Sequence, residues 1–165
     1  MKTLRIQLNA GKIRRWHTLP IIGEQTVADH TYGVCQILRY IYDNRCPPCL
    51  LNAALDHDVP EYYTGDVPFG AKKGSHSLRV GLRQLEEKYA KDGGIIHDLT
   101  TAEKVALKWA DLAEMGFFGI LQFTLGNLGG RDVVENVLDS LPEMHNDNAQ
   151  KLRQGFEVFL NETER

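Results

Sequence analysis

In the stretch AALDHDVPEYYTGD, residues 53–66, an apolar run ends on His57 and Asp58, and Pro60 follows two residues later. Proline disfavours helical geometry at the residue before it, so a helix through Leu50, Leu51, Ala53, Ala54 and Leu55 has to stop at or just after Asp58. Neighbours within a regular helix point about 100° apart. A helix that ends between or just after the pair lets both side chains converge on one point. The run is almost entirely apolar, so it reads as a central core helix that delivers an imidazole and a carboxylate to its own end.

The flanking sequence supplies helices to pack around it. Upstream, Thr26 can cap a helix in which Val27, His30, Val34, Leu38 and Ile41 recur at steps of three and four along one stripe. His30 lies on that stripe. Residues 1–24, with Gly11, Pro20 and Gly23, read as an irregular or partly helical lead-in. A polar loop is expected from Pro60 to Gly74, then a helix from about Ser77 to Lys91 closed by Gly93 and Gly94, with Leu78, Leu82, Leu85 and Tyr89 inward. Thr100-Thr101-Ala102-Glu103 is a capping-box signature opening a helix that turns Val105, Ala106, Trp109, Leu112 and Ala113 to the core. Asp111 falls among them. That helix continues through MGFFGILQFTLGNLGG, where its glycines predict a break or bend. Two more helices, about 131–141 and 147–162, finish the chain. No segment alternates like a strand between hairpin turns. The expected class is all-α, a compact bundle of about six to seven helices in one domain spanning residues 1–165.

Bulk properties narrow the function. At 165 residues and 42% hydrophobic content the chain can bury one substantial core. A net charge of −3 with dispersed Lys and Arg excludes the basic footprint of a protein that coats a nucleic acid polymer. Apolar stretches are interrupted well before the ~18 residues a membrane span needs, and the N-terminus has no signal-peptide pattern. Cys35, Cys46 and Cys49 cannot all pair, which fits a reducing compartment. Cys46-Pro-Pro-Cys49 lacks the second ligand pair of a zinc site and reads as an interhelical loop. A cytoplasmic location follows.

Four polar groups are left facing the predicted core: His30, His57, Asp58 and Asp111, from three helices. Each buried alone would be costly, because a buried charge has to be neutralised or paired. Two imidazoles and two carboxylates suit one divalent transition ion such as Zn²⁺, Co²⁺ or Mn²⁺, whereas Mg²⁺ alone favours an all-oxygen site. A lone core histidine is more often simply hydrogen-bonded, and a buried Asp often caps a helix; the combination is what points to a metal. His17, His76, His97 and His145 have no partners at convincing positions.

The order His30, His57-Asp58, Asp111 resembles the H…HD…D signature of HD-domain metal-dependent phosphohydrolases. Arg15-Trp16, VADH at 27–30 and HDVPEYYTGDVP at 57–68 are similar to the motifs of the 5′-deoxynucleotidase branch, with Asp29 where that branch usually has Glu. The resemblance spans roughly residues 14–114. It implies an all-helical fold, a metal held by His30, His57, Asp58 and Asp111, and hydrolysis of a phosphate ester on a deoxynucleotide. It also implies Glu61 as the acid/base residue and Asp66 as a group near substrate or the attacking water. The short chain, with RRWHT and KWADLAE, is similar to the small phage dATP triphosphohydrolases, which would act in the host cytoplasm.

Residues around that centre set the substrate. Lys108 precedes Asp111 by three residues and shares its helix face, so it can hold a phosphate beside the ion. Arg15 offers a bidentate fork. Lys72 and Lys73 either reach distal phosphates or remain in a solvated loop. Trp16 either stacks on a base or anchors the segment. Glu61, alternatively, is a first-turn helix carboxylate. The favoured reading is a dATP-preferring triphosphohydrolase, in which the triphosphate brings additional Mg²⁺. The alternatives are a 5′-deoxynucleotidase acting on monophosphates and a noncatalytic nucleotide-binding protein. The aromatic surface of MGFFGILQF predicts a homo-oligomer.

Overall fold

The computed structural model describes residues 2–164. Among these the chain is all-α: α1 Lys2–Ala10, α2 Val27–Ile41, α3 Pro48–Asp56, α4 Glu61–Thr64, α5 Phe69–Gly74, α6 His76–Gly93, α7 Thr101–Thr124, α8 Gly129–Ser140 and α9 Asp147–Glu162. The count exceeds the expected six to seven because of α1 and the short α4 and α5. Those two lie inside the segment read as a polar loop: Pro60 and Pro68 sit immediately before their first residues, where a fixed φ favours helix initiation. No helix of the described residues is long and apolar enough to cross a membrane.

α2 begins where expected. Thr26 and Asp29 form a reciprocal capping box, so the Asp29 carboxylate is spent on the helix start. Val27, His30, Val34, Leu38 and Ile41 are all buried. α3 ends at Asp56, two residues before the expected limit, but His57 keeps helical angles and turn bonds continue from Val59 N–H to the Asp56 carbonyl and from Glu61 N–H to the Asp58 carbonyl. Leu55 points to solvent, while Leu50, Ala53 and Ala54 are buried. The Cys46-Pro47 connection links α2 to α3, with Cys46 buried and Cys49 in the first turn of α3 donating to Glu103 Oε1 at 3.4 Å.

α7 is the axis of the molecule. Trp109, Ala110, Leu112, Ala113, Met115 and Phe118 pack it against α2, α3, α8 and α9. The expected break falls at Gly126, where φ is 100° and the chain turns toward α8, while Gly116 and Gly119 lie inside an unbroken helix. Their role is packing: a Cβ at Gly116 would lie 2.9 Å from the Phe156 ring, and one at Gly119 would lie 2.7 Å from the Gly130 carbonyl of α8. α6 departs from its predicted face. Only Leu82 is buried, Leu78 and Leu85 are exposed, and Tyr89 stacks on Tyr63 at 4.1 Å, because the main helical neighbours of α6 are the short α4 and α5.

Gly119→Ala is therefore expected to destabilise the protein. Helix propensity alone would favour alanine by about 1 kcal/mol. Overpacking against the α8 backbone costs about 1–3 kcal/mol and outweighs it. Urea denaturation at constant m-value measures the difference.

Candidate metal centre and substrate pocket

Three helices bring the expected ligands together. His30, fully buried in the second turn of α2, points its Nε2 at the end of α3, where His57 Nε2 lies 3.3 Å away and Asp58 Oδ2 3.6 Å away. Donor atoms of His30, His57 and Asp58 all lie within 4.8 Å of one another. Asp111, from α7, adjoins this trio through Oδ1, 3.2 Å from His30 Nε2.

Both imidazoles are oriented from behind. His57 Nδ1 donates to the Ala54 carbonyl at 2.6 Å, a bond available because the chain turns just beyond the last residue of α3. His30 Nδ1 donates to Glu114 Oε2. With each Nδ1 committed, each Nε2 is left for the centre, the arrangement that metal-ligating histidines usually show. Two such nitrogens and two carboxylates, dry on one side and open to a pocket on the other, fit a divalent cation.

The electrostatics express the same crowding. Burial works against a charged His30, yet Asp111 and Glu114 outweigh it and raise its pKa to about 9. Burial likewise opposes charge on Asp58 and Asp111, but His57, His30 and Arg15 lower the first, and Lys108 with His30 brings the second well below the usual carboxylate range. In the metal-free protein a proton on His30 thus stands where a cation would. Glu61 behaves oppositely: burial first, then the nearby Asp58, pushes its carboxyl up to about 8. Its Oε1 is 3.8 Å from Lys72 Nζ, and its buried Oε2 has no hydrogen-bond partner.

A cavity of about 490 Å³ opens beside this group. Asp58, Glu61, Asp66, Asp111, Arg15, Trp16, Lys72, Lys73 and Lys108 all face it, with Phe69, Met115 and Val137 among its apolar lining. Arg15 Nη1 donates to Asp58 Oδ2 at 3.0 Å, while its buried Nε has no partner. Lys108 donates to Asp111 Oδ2 at 2.7 Å, and Lys73 to Asn136 Oδ1 at 3.4 Å. Asp66 Oδ2 lies 3.9 Å from His17 Nδ1. Trp16 lines the cavity and stacks on Phe118 at 5.0 Å with rings 13° apart, so it serves as an anchor of its segment.

Sequence reasoning missed the supporting layer. Glu114 is buried, accepts from His30 and also from Gln25 Nε2 at 2.8 Å. Its signal was its place in KWADLAE, three residues after Asp111 and hence on the same helix face. Gly33 gives it room, since a Cβ there would lie 2.6 Å from Glu114 Cγ. Gln122 pins the loop that carries Trp16, accepting from Ile22 N–H at 2.8 Å and donating to its carbonyl at 2.9 Å. His97, one of the histidines set aside, pairs with Asp56 Oδ2 at 3.0 Å on the outer side of α3.

Comparison with known proteins agrees with this architecture. Solved structures of similar fold include the cyanophage S-2L HD phosphohydrolase DatZ, bound to dA and one catalytic Zn²⁺ ion, with TM-score 0.69 and 20% identity over 96% of each chain. A Pyrococcus furiosus conserved hypothetical protein gives TM-score 0.64 and 21% identity over 95% of this chain and 96% of that one. A Pyrococcus horikoshii protein gives 0.63 and 15% over 97% and 98%. No curated protein matches by sequence. The model of the 5′-deoxynucleotidase YfbR-like family matches residues 6–102, which include Arg15, Trp16, His30, His57, Asp58 and Glu61. The chain belongs to the YfbR-like 5′-deoxynucleotidase family, phosphohydrolases of deoxynucleotides.

Proposed function

We propose that this enzyme is a dATP-preferring deoxynucleoside triphosphate triphosphohydrolase that releases deoxynucleoside and intact triphosphate in the cytoplasm. The observation that carries the reading is the cationic equipment of one cavity: Arg15, Lys72, Lys73 and Lys108 share its walls with Asp58, Glu61 and Asp111. A single phosphate needs fewer cations. The likeness of fold to DatZ, bound to dA and one catalytic Zn²⁺, supports the choice of base and metal. A second reading, a 5′-deoxynucleotidase acting on monophosphates, is favoured by the description of the family whose model matches. A noncatalytic nucleotide binder has no use for the buried, protonated carboxyl of Glu61.

His30, His57, Asp58 and Asp111 hold the metal, with Zn²⁺, Co²⁺ or Mn²⁺ suited to their nitrogen and oxygen donors. When bound, a divalent ion there supplies Lewis acidity toward phosphoryl oxygen and makes water more acidic. Glu61 keeps a proton at Oε2 for the departing 5′-oxygen as the phosphorus–oxygen bond breaks, because burial keeps its carboxyl neutral near pH 7. Asp66 orients substrate or the attacking water from the cavity wall. Arg15 and Lys108 neutralise phosphate charge next to the ligands, and Lys72 and Lys73 reach the distal phosphates, which arrive with Mg²⁺ as part of the substrate. Trp16, Phe69 and Met115 form the apolar side against which the nucleoside packs. Exposed Phe117, Leu121 and Leu125 on α7 form a self-association face.

Incubation of the Zn²⁺- or Co²⁺-loaded protein with dATP is expected to give deoxyadenosine and intact triphosphate; stepwise release of single phosphates from dATP, or turnover of dAMP alone, selects the monophosphate reading. Lys73→Ala, which removes a cation assigned to the distal phosphates, should weaken dATP turnover strongly. If dAMP is the substrate, that variant should remain nearly as active as the parent. Glu61→Gln is expected to lower kcat by about 10²–10⁴-fold while the metal remains bound.

A chelated, metal-free sample isolates the electrostatic consequence of Glu61. Its folded pKa of about 8 lies above the ordinary 4.5, so the folded state binds this proton more tightly and stability falls as pH rises between those values. His30 adds a loss of the same sign only between about 6.5 and 9. Thermal melts from pH 5 to 6.5 should therefore show a falling Tm that Glu61→Gln flattens. Light scattering at micromolar concentration should give a mass above that of one chain.

A further inference from the structure

A directed chain of hydrogen bonds joins the cavity wall to the buried imidazole. Trp16 Nε1 donates to Gln25 Oε1 at 2.6 Å, Gln25 Nε2 donates to Glu114 Oε1 at 2.8 Å, and Glu114 Oε2 accepts from His30 Nδ1. An indole nitrogen has one hydrogen and no acceptor, so it can only donate. Gln25 must accordingly turn its carbonyl toward Trp16, which leaves its amide hydrogens for Glu114. Glu114 takes the Gln25 amide on Oε1, which leaves Oε2 to accept the Nδ1 hydrogen of His30. His30 Nε2 is then the nitrogen left for the centre, and it is the one facing His57, Asp58 and Asp111.

We infer that Trp16 is a positioning residue for the metal centre: acting through Gln25 and Glu114, its indole N–H fixes the tautomer in which His30 offers Nε2 to a divalent cation. This rests on the metal-holding role given to His30 above and does not depend on which phosphate ester is cleaved. Trp16 thereby has two tasks, one face lining the cavity and one edge setting the imidazole behind the ion.

Three features show that the chain is built for direction. Gln25 is 4%, Glu114 8% and His30 0% exposed, so water cannot replace a reversed bond, and a donor facing a donor there would stay unsatisfied. Trp16 adopts φ 61°, a left-handed conformation that costs a non-glycine residue energy, and it is held there while the ring stacks on Phe118 and Arg15 N–H bonds the Gln25 carbonyl at 2.9 Å. Gly33 leaves the space that Glu114 fills. A tryptophan that served only as a wall for substrate would need none of these.

The test reads metal affinity with no nucleotide present. Zn²⁺ dissociation constants are measured by competition with a chromophoric chelator, Co²⁺ ligand-field spectra are recorded, and circular dichroism and melting of the metal-free proteins report folding separately. Gln25→Leu keeps the bulk and breaks the chain; it should weaken Zn²⁺ binding by about ten- to hundredfold and alter the Co²⁺ band. Trp16→Phe keeps a ring over Phe118 and removes the donor; it should weaken binding in the same direction by a smaller factor. The double variant should bind no more weakly than Gln25→Leu alone, since both changes cut one chain. Unchanged affinity in the single variants, or losses that simply add, overturns the inference, even if turnover falls. Parent protein that takes up no Zn²⁺ overturns the inference together with the metal centre. Should Gln25→Leu not fold, the affinity of Trp16→Phe decides alone.

Discussion

The contact between His30 and Glu114 ties the fold to its chemistry. It joins α2 to α7 through a buried polar contact, and the missing side chain of Gly33 leaves room for it. An imidazole with no exposed surface needs both nitrogens satisfied, or it pays the cost of a bare polar atom in the core. Glu114 satisfies one from behind, and the acids at the end of α3 and on α7 face the other. Around that point the remaining helices are packing: Leu38, Leu50, Trp109 and Val134 close the core on every side but that of the cavity.

Charge crowding gives the site its reactivity. Asp58 and Asp111 remain ionised against burial because His30, His57, Arg15 and Lys108 surround them. Glu61, three residues further on, is buried beside Asp58, which outweighs the help of Lys72 and Arg15, and so keeps its proton. Two carboxyl groups a few residues apart are thereby held in opposite protonation states by their surroundings, the division of labour that acid/base chemistry on a phosphate ester requires. The short turn between α3 and α4 produces this split: α3 stops at Asp56, Pro60 precedes α4, and Glu61, the first residue of α4, is buried near Asp58 and Lys72.

The pocket has a rigid side and a lighter side. α7, α8 and the pinned loop bearing Trp16 are tied by backbone proximity at Gly119 and Gly130 and by the paired bonds of Gln122. Opposite them, α5 carries Lys72 and Lys73 on a six-residue helix with no buried residue. Local openings cost least where few apolar contacts are lost, so the end of the cavity formed by Lys72 and Lys73 is the part best able to adjust.

The sequence alone determined the helical class, the caps of α2 and α7, the buried stripe of α2 and the four polar groups that meet beside the cavity. These follow from period, capping chemistry and the position of Pro60, all local quantities. Tertiary structure decided what depends on a partner far along the chain. Leu78, Leu85 and Leu55 are exposed because no helix covers them, although their spacing matches a core face. Gly116 and Gly119 read as a weakness in α7 and proved to be contact points, since a missing side chain shows its purpose only when the neighbour is known. Gln25 carried no motif and Glu114 stood in KWADLAE without an assigned role; 89 residues separate them, and only folding makes them one hydrogen-bonded path. Periodicity can say that a residue faces inward, but which atom it meets there is fixed by the packing of distant segments.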